Sequence, residues 1–490
     1  MKKNITAVAF ATALSIGANA AFAENEGGAR IGEIEKMLQN LQRQREEQDS
    51  QIRELTAKLA EMQQQLAQPK TEKAGGENKS TGNALYGGYK NGVVLEDGSG
   101  DWKISINGRI QADYRNFSPD NQTVANTFSM RRARLGATMD ILKDFSMKVE
   151  GEYSAAATAM TYGYIDYKHW NAAKLRIGQF KPFYGLERAT STNLTDFQER
   201  SMADAMFGAM YDRGVMIFGE PVKGLNYSFA YINGAGTVDE GNATATTNAT
   251  AASTNGNGKD YSARLTGNIA EWASIKDTVI HVGGFYGQGK QAAGEAINPV
   301  LTEGRGVKFF MASAFTNPVD RKREGLEAAF SYGPIKLQGE YIRVSYDGLG
   351  VNNRGMSSQY ADLTWMVTGE SYADDYRDSA FWRIKPKNNF AFGSGGLGAL
   401  ELGLRSSSFD ASDFRTANAA GGVLLNTVPL LGKMTSKANA WTAGVKWILN
   451  PNTRAILNYV NTRFDTPVTP VGGRASNSEK AVTARAQFDF

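Results

Sequence analysis

Residues 102–115 read WKISINGRIQADYR. In an extended chain successive side chains point to opposite sides. Trp102, Ile104, Ile106, Ile110, Ala112 and Tyr114 therefore share one face, and Lys103, Ser105, Asn107, Arg109, Gln111, Asp113 and Arg115 share the other. A half-buried sheet in a soluble protein would alternate in the same way, but here the pattern recurs to the end of the chain. Leu326, Ala328, Phe330 and Tyr332 alternate with Glu327, Ala329 and Ser331. Ile335, Leu337 and Tyr341 alternate with Lys336, Gln338 and Glu340, and Leu400, Leu402 and Leu404 with Glu401 and Arg405. Trp441, Val445 and Trp447 alternate with Thr442 and Lys446. The last run, Val482, Ala484, Ala486, Phe488 and Phe490, stops on an aromatic. Segments of around ten residues suit tilted strands that cross a bilayer. Charges on one face of so many strands require a wet interior, since burying them unpaired is costly. The pattern predicts an all-β, antiparallel transmembrane barrel over 101–490.

Composition agrees. The chain has 490 residues with 53 Gly, 24 Phe, 20 Tyr and only 12 Pro, a strand-and-turn balance. Mean hydropathy is −0.40, and nowhere are there the roughly 20 unbroken apolar residues of a spanning helix. With no Cys, thiolate metal sites, disulfides and cysteine nucleophiles are excluded. The two histidines leave little material for acid–base or metal chemistry, so neither an enzyme nor a cofactor is expected. Asp166 and His169 are the one candidate acid–base pair, and their spacing puts them on opposite faces of a strand. The net charge of +4 is too small to argue for nucleic acid, so any ionic selectivity must come from where the charges sit.

Ahead of the barrel the chain opens MKKNITAVAFATALSIGANAAFA. Lys2 and Lys3, a short apolar run from Ala7 to Ile16, and Ala21 and Ala23 make residues 1–23 a signal peptide cleaved after Ala23. Over 31–68, Ile31, Ile34, Leu38, Leu41, Arg45, Gln48, Ile52, Leu55, Leu59, Met62 and Leu66 step by threes and fours, a heptad seam that Pro69 ends. An α-helical coiled coil in the periplasm, joining subunits, is expected there. Residues 69–100 read as a linker, with a small strand pair around Tyr86 to Leu95. Long connections are expected at 233–258, where the Ala-, Thr- and Asn-rich run over 242–258 reads as an exposed loop, and at 287–322.

Particular segments carry a family resemblance. INGRIQADY at 106–114, FSMRRARLG at 128–136, KLRIGQFKPFYGLERATS at 174–191, LTWMVTGES at 363–371, IKPKNNF at 384–390, ALELGLRSSSFD at 399–410 and AWTAGVKWILNPNTRAILNYV at 440–460 stand in one order. In them the chain resembles the phosphate-selective porin O and P family of outer-membrane anion porins. The resemblance implies a homotrimer of barrels of about 16 strands in outer-membrane lipid. It also implies small inorganic anions, phosphate or polyphosphate, as the permeating partners, and loops folded inward to a basic constriction, here within 180–212. The chain departs from phosphate-specific members in having Arg134 and Lys181 where aromatics are expected and Ser146 near an expected lysine.

Candidate pore-lining cations follow from phase and from that loop. Arg132 and Arg134 share a polar face, and Arg109, Lys148, Arg176, Arg264 and Arg405 fall on polar faces too. Arg131 has the other phase, which puts it at the membrane edge, or inside if a bulge shifts the strand. Lys181 and Arg188 lie in the inferred constriction, the latter where the family places a basic residue. Arginine suits phosphate and carboxylate because its fork donates two parallel hydrogen bonds. The nearest alternative is a carbohydrate or general-diffusion porin with an N-terminal coiled coil. Tyr162, Tyr164 and Trp170, on the phase of Asp166, would then line the lumen, although most aromatics take the lipid-facing phase.

Overall fold

The computed structural model describes Gln39 and residues 85–490, apart from 90–91, 118–124, 156–157, 209, 235, 238–258, 296, 313, 394, 415–433 and 471–472. The signal peptide, the heptad segment (Gln39 excepted) and the run 242–258 lie outside the described residues.

One antiparallel sheet of 18 strands builds the fold. Its first two strands, β1 (Leu85–Tyr89) and β2 (Val93–Asp97), form a hairpin inside the segment read as linker, where a strand pair was expected. The wall begins with β3 (Trp102–Phe117), β4 (Thr127–Ile141), β5 (Phe145–Glu152) and β6 (Ala159–Trp170). It continues through β7 (Ala173–Phe180), β8 (Asp212–Val222), β9 (Leu225–Ile232), β10 (Asp260–Asn268) and β11 (Thr278–Gln291). A short pair outside the wall, β12 (Val300–Leu301) and β13 (Lys308–Phe310), precedes β14 (Val319–Tyr332), β15 (Ile335–Gly348) and β16 (Val351–Met366). A second short pair, β17 (Tyr376–Arg377) and β18 (Ala380–Phe381), precedes β19 (Ala399–Asp410), β20 (Lys437–Asn450), β21 (Thr453–Val468) and β22 (Ser476–Asp489).

The last strand pairs with β3, from Ala481 opposite Phe117 to Asp489 opposite Arg109, and this closes a barrel of 16 strands. Phe490 and Gly108 then exchange two backbone hydrogen bonds of 3.0 Å. Below that point β2 takes over the same edge of β3, from Val93 opposite Ile106 to Glu96 opposite Lys103. The chain terminus and the hairpin thus share one edge, leaving few backbone groups of β3 unpaired. At the end that carries Phe490 the connections are tight, as at 171–172, 223–224, 333–334 and 451–452. Most long connections are at the other end, at 181–211, 233–259, 292–318 and 411–436. The exception is 367–398, a long connection at the tight-turn end.

Alternation holds around the wall. Ile110, Leu326, Leu404, Trp441 and Phe488 are exposed on the outside, while Gln111, Asp113, Glu327, Arg405, Lys446 and Arg485 are buried within. Strand β15 shows how far the apolar band extends. Its outer face runs Ile335, Leu337, Tyr341 and then Arg343 and Asp347; its inner face runs Lys336, Gln338, Glu340 and then Ile342, Val344 and Tyr346. Polarity changes sides partway along the strand. The outer face turns polar where the strand leaves hydrocarbon. The inner face turns apolar where the lumen is filled by 292–318, whose Val300, Val307, Phe309, Phe310 and Phe315 are buried in one cluster with Val344 and Tyr346. A buried Phe or Val contributes about 1.5–3 kcal/mol, enough to hold an apolar plug in an otherwise wet barrel.

Leu404 is outward and 57% exposed near the middle of β19. Leu404→Arg is expected to lower folding stability in lipid vesicles by about 2–4 kcal/mol, the cost of a cation near the bilayer midplane. Denaturant titration measures it, and an unchanged midpoint would show that this face does not meet hydrocarbon.

Candidate functional site

Inward charges have two fates, and the connection 181–211 decides between them. It leaves the wall after β7 and reaches the far strands, whose cations it consumes. On β15, Lys336 Nζ donates to Asp196 at 2.6 Å. On β19, Arg405 donates to Glu187 Oε1 at 2.8 Å and to the Glu199 carbonyl at 3.0 Å, besides holding Asp362 in two hydrogen bonds. On β21, Arg454 donates to the Asn193 carbonyl at 2.9 Å, and on β22 Arg485 donates to the Gln198 carbonyl at 2.5 Å. Phe197 is 1% exposed and fits a notch made by two glycines, where a Cβ on Gly403 or Gly444 would stand 3.0 Å from its ring. At the root of the loop, Gly185 has φ 66°, and a Cβ there would overlap the Glu340 carboxylate. Glu340 in turn accepts the Glu187 backbone N–H at 2.5 Å.

The near wall, β3 to β9, stays open. A cavity of about 780 Å³ runs along it, lined by eleven basic residues and four acidic ones (Asp140, Asp166, Glu220 and Asp378). One buried carboxylate, Glu150 on β5, meets three cations: Arg134 at 3.2 Å, Arg109 at 3.5 Å and Lys148 at 3.8 Å. Arg134 also donates to Glu152 at 2.6 Å and to the Tyr211 hydroxyl at 2.7 Å. Arg109 donates to the Thr192 hydroxyl of the crossing loop at 2.8 Å. Arg132 donates to the Gln111 amide oxygen at 2.8 Å. Arg176 is held by Asp166 at 2.7 and 2.8 Å, with its guanidinium 3.8 Å from the centre of Tyr164 and 4.9 Å from that of Phe218.

Of the ten predicted cations, Arg109, Arg131, Arg132, Arg134, Lys148, Arg176, Lys181 and Arg264 line this one cavity, whereas Arg405 is taken up by the crossing loop. Arg131 is inside because the β3–β4 register shifts. Gln111 faces Arg132 and Ala112 faces Met130, so Arg131 is the extra residue of a bulge. Its Nε donates to Glu199 at 2.8 Å. Lys181 donates to the carbonyls of Arg188 and Ala189, so it braces the loop as well as facing the cavity. Arg188 departs from expectation. It is 1% exposed and packs away from the cavity, against Asp204 at 3.6 Å and the ring of Phe207 at 5.1 Å. Burial pushes its guanidinium down to about 10 despite Asp204. Trp170 is also corrected. The β6–β7 register shifts after Tyr167, and Trp170 is 59% exposed, whereas Tyr162 and Tyr164 do face the cavity. His169 bonds Asp144 at 3.0 Å, and Asp166 bonds Arg176.

Sequence reasoning missed Glu199, the loop carboxylate around which Arg115, Arg131, Arg305 and Arg485 gather at 2.8–3.8 Å. No strand period places a loop residue, so its only trace was the acidic character of the loop. It also missed 371–384, which folds up from the tight-turn end. Arg264 donates to the Ser379 carbonyl at 3.1 Å, His281 bonds the Tyr376 hydroxyl at 2.7 Å, and Phe381 and Trp382 line the cavity.

Burial alone would raise the Glu199 carboxyl, but Arg131, Arg485, Arg132 and Arg305 hold it well below its usual 4.5. A depressed carboxyl contributes stability above its unfolded value and loses it as pH falls. The crossing loop is therefore expected to stay seated at neutral pH and to loosen below about pH 4. Single-channel traces should turn noisy on acidification, and Glu199→Gln should be noisy already at pH 7. A Glu199→Gln trace as quiet as wild type at neutral pH would release Glu199 from this role.

Comparison with known proteins follows this geometry. A family model described as "Phosphate-selective porin O and P" matches residues 104–490. Porin O of Pseudomonas aeruginosa is 24% identical over 414 residues, covering 77% of this chain and 86% of that protein. An uncharacterized protein of Caulobacter vibrioides is 24% identical over 424 residues, covering 80% and 75%. Among solved structures, an anion-selective porin from Comamonas acidovorans is similar in fold, with TM-score 0.50 and 13% identity over 79% of this chain and 100% of that one.

Proposed function

This chain belongs to the phosphate-selective porin O and P family, and from that premise we propose that it forms a water-filled outer-membrane channel that prefers small anions, phosphate among them. The observation that carries the reading is the cavity wall, with eleven basic residues against four acidic ones, and three of those cations, Arg109, Arg134 and Lys148, gathered on Glu150 with Glu152 beside Arg134. An ion entering a narrow passage loses water, and a surplus of fixed positive charge offsets that loss for anions and deepens it for cations. Several moderate sites in series also let the ion leave. Arg109, Arg132, Arg134 and Lys148 would form that series, and Arg131, Arg176 and Lys181, which line the same cavity, add charge to it. Arg188 holds the loop.

The full chain works as a homotrimer in this reading. Residues 1–23 direct export, and the heptads over 31–68 tie three subunits together on the periplasmic side. The anion-selective neighbour and the relative named Porin O favour the anion-channel reading.

A salt-gradient reversal potential tests it. Wild type is expected to favour chloride over potassium. Arg132→Gln and Arg134→Gln should each cut that preference about fivefold, since one charge a few ångströms from the ion's path is worth about 1 kcal/mol. A cation-favouring or neutral wild type, blocked by oligosaccharides, would instead support the carbohydrate porin.

A further inference from the structure

The cavity wall is divided into a cationic and an aromatic half, and phosphate has use for only the first. Arg109 and Arg134 stand on β3 and β4, and Lys148 on β5. Next to them, β6 to β8 present Tyr162, Tyr164 and Phe218, and the crossing loop adds Phe183 and Tyr211. These rings form two groups with Arg176 between them, its guanidinium 3.8 Å from the centre of Tyr164 and 4.9 Å from that of Phe218. Tyr211 meets Tyr162 at 5.0 Å, Tyr162 meets Tyr164 at 5.9 Å, and Phe183 meets Phe218 at 6.0 Å, each near a right angle. Lys148 stands 4.5 Å from the centre of Tyr162, which joins the two halves. From the tight-turn end Trp382, 37% exposed, faces the same space.

From this division we infer that the cavity is a binding site for aromatic carboxylates, flat organic anions of single charge; the inference rests on the anion reading above. Coulomb attraction to the β3–β5 cations is the same for any monovalent anion at a given distance. Ring faces distinguish among anions, because they reward an apolar planar body through offset or edge-to-face stacking and give nothing to a compact hydrated oxyanion. A benzoate-sized solute would turn its carboxylate toward the cations around Glu150 and set its ring beside Tyr162, Tyr164 and Phe218, whose other contacts seat Lys148 and Arg176.

The test uses the full-length protein in planar bilayers in potassium chloride, with benzoate, acetate or phosphate added to one side. Benzoate is expected to halve the chloride current at a concentration at least about fivefold below acetate and below monovalent phosphate. Phe218→Ser and Tyr164→Ser should each shrink that gap. A wild-type gap smaller than fivefold overturns the inference without need of any variant, and so does a gap that survives in both variants. Because reversal potential is read on the same membrane, the two failures separate. Chloride preference without a benzoate advantage sinks only this inference, whereas loss of chloride preference sinks the anion reading beneath it.

Discussion

Inside a closed barrel no charged side chain can turn away from the lumen without entering lipid. The structure is organised around that constraint. Strand geometry sends every second residue inward, and closure through β22 and β3 removes the free edges. Each inward cation then has to find a carboxylate, a carbonyl, another polar group or water. The protein divides these options by location. The far wall receives a loop that supplies carbonyls and the carboxylates of Glu187 and Asp196, Glu199 bridges Arg485 of that wall to Arg115 and Arg131 of the near one, and the rest of the near wall lines the open cavity.

This division explains why cations of the same phase do different work. Arg405 and Arg134 both sit inward in mid-strand and both meet two carboxylates, but Arg405 has Asp362 and Glu187 in a fully buried setting, while Arg134 lines the open cavity and shares its Glu150 with Arg109 and Lys148. A locked ion pair contributes little net charge to the passage. A cavity wall with eleven basic residues against four acidic ones keeps a surplus of positive charge. Neutralisation is thus less complete along the cavity than where the crossing loop is anchored.

Apolar packing supports the arrangement from the loop end. The connection 292–318 would be costly to hold in a wet lumen by hydrogen bonds alone, but Phe309, Phe310 and Phe315 meet inward apolar residues at the upper ends of β15, β16 and β19 to β21. The plug and the crossing loop touch through Arg305 and Glu199 at 3.8 Å. The narrowing of the passage is thus backed by a hydrophobic core, which gives it a fixed width.

Much of this was legible in the sequence because strand alternation is local and repeats. The phase of Arg132, Arg134, Arg109 and Arg176, the outward Trp441 and Leu404, and the closing Phe490 needed only neighbouring residues to be read. What the tertiary structure alone decided was every placement that depends on a register or on a loop path. The bulge that brings Arg131 inside, the shift that puts Trp170 outside, the burial of Arg188 beneath the loop, and the gathering of four arginines on Glu199 each rest on a strand register or a loop contact that alternation does not encode. Period-two spacing fixes which way a side chain points, but only the folded loops determine whether it meets water or a partner there.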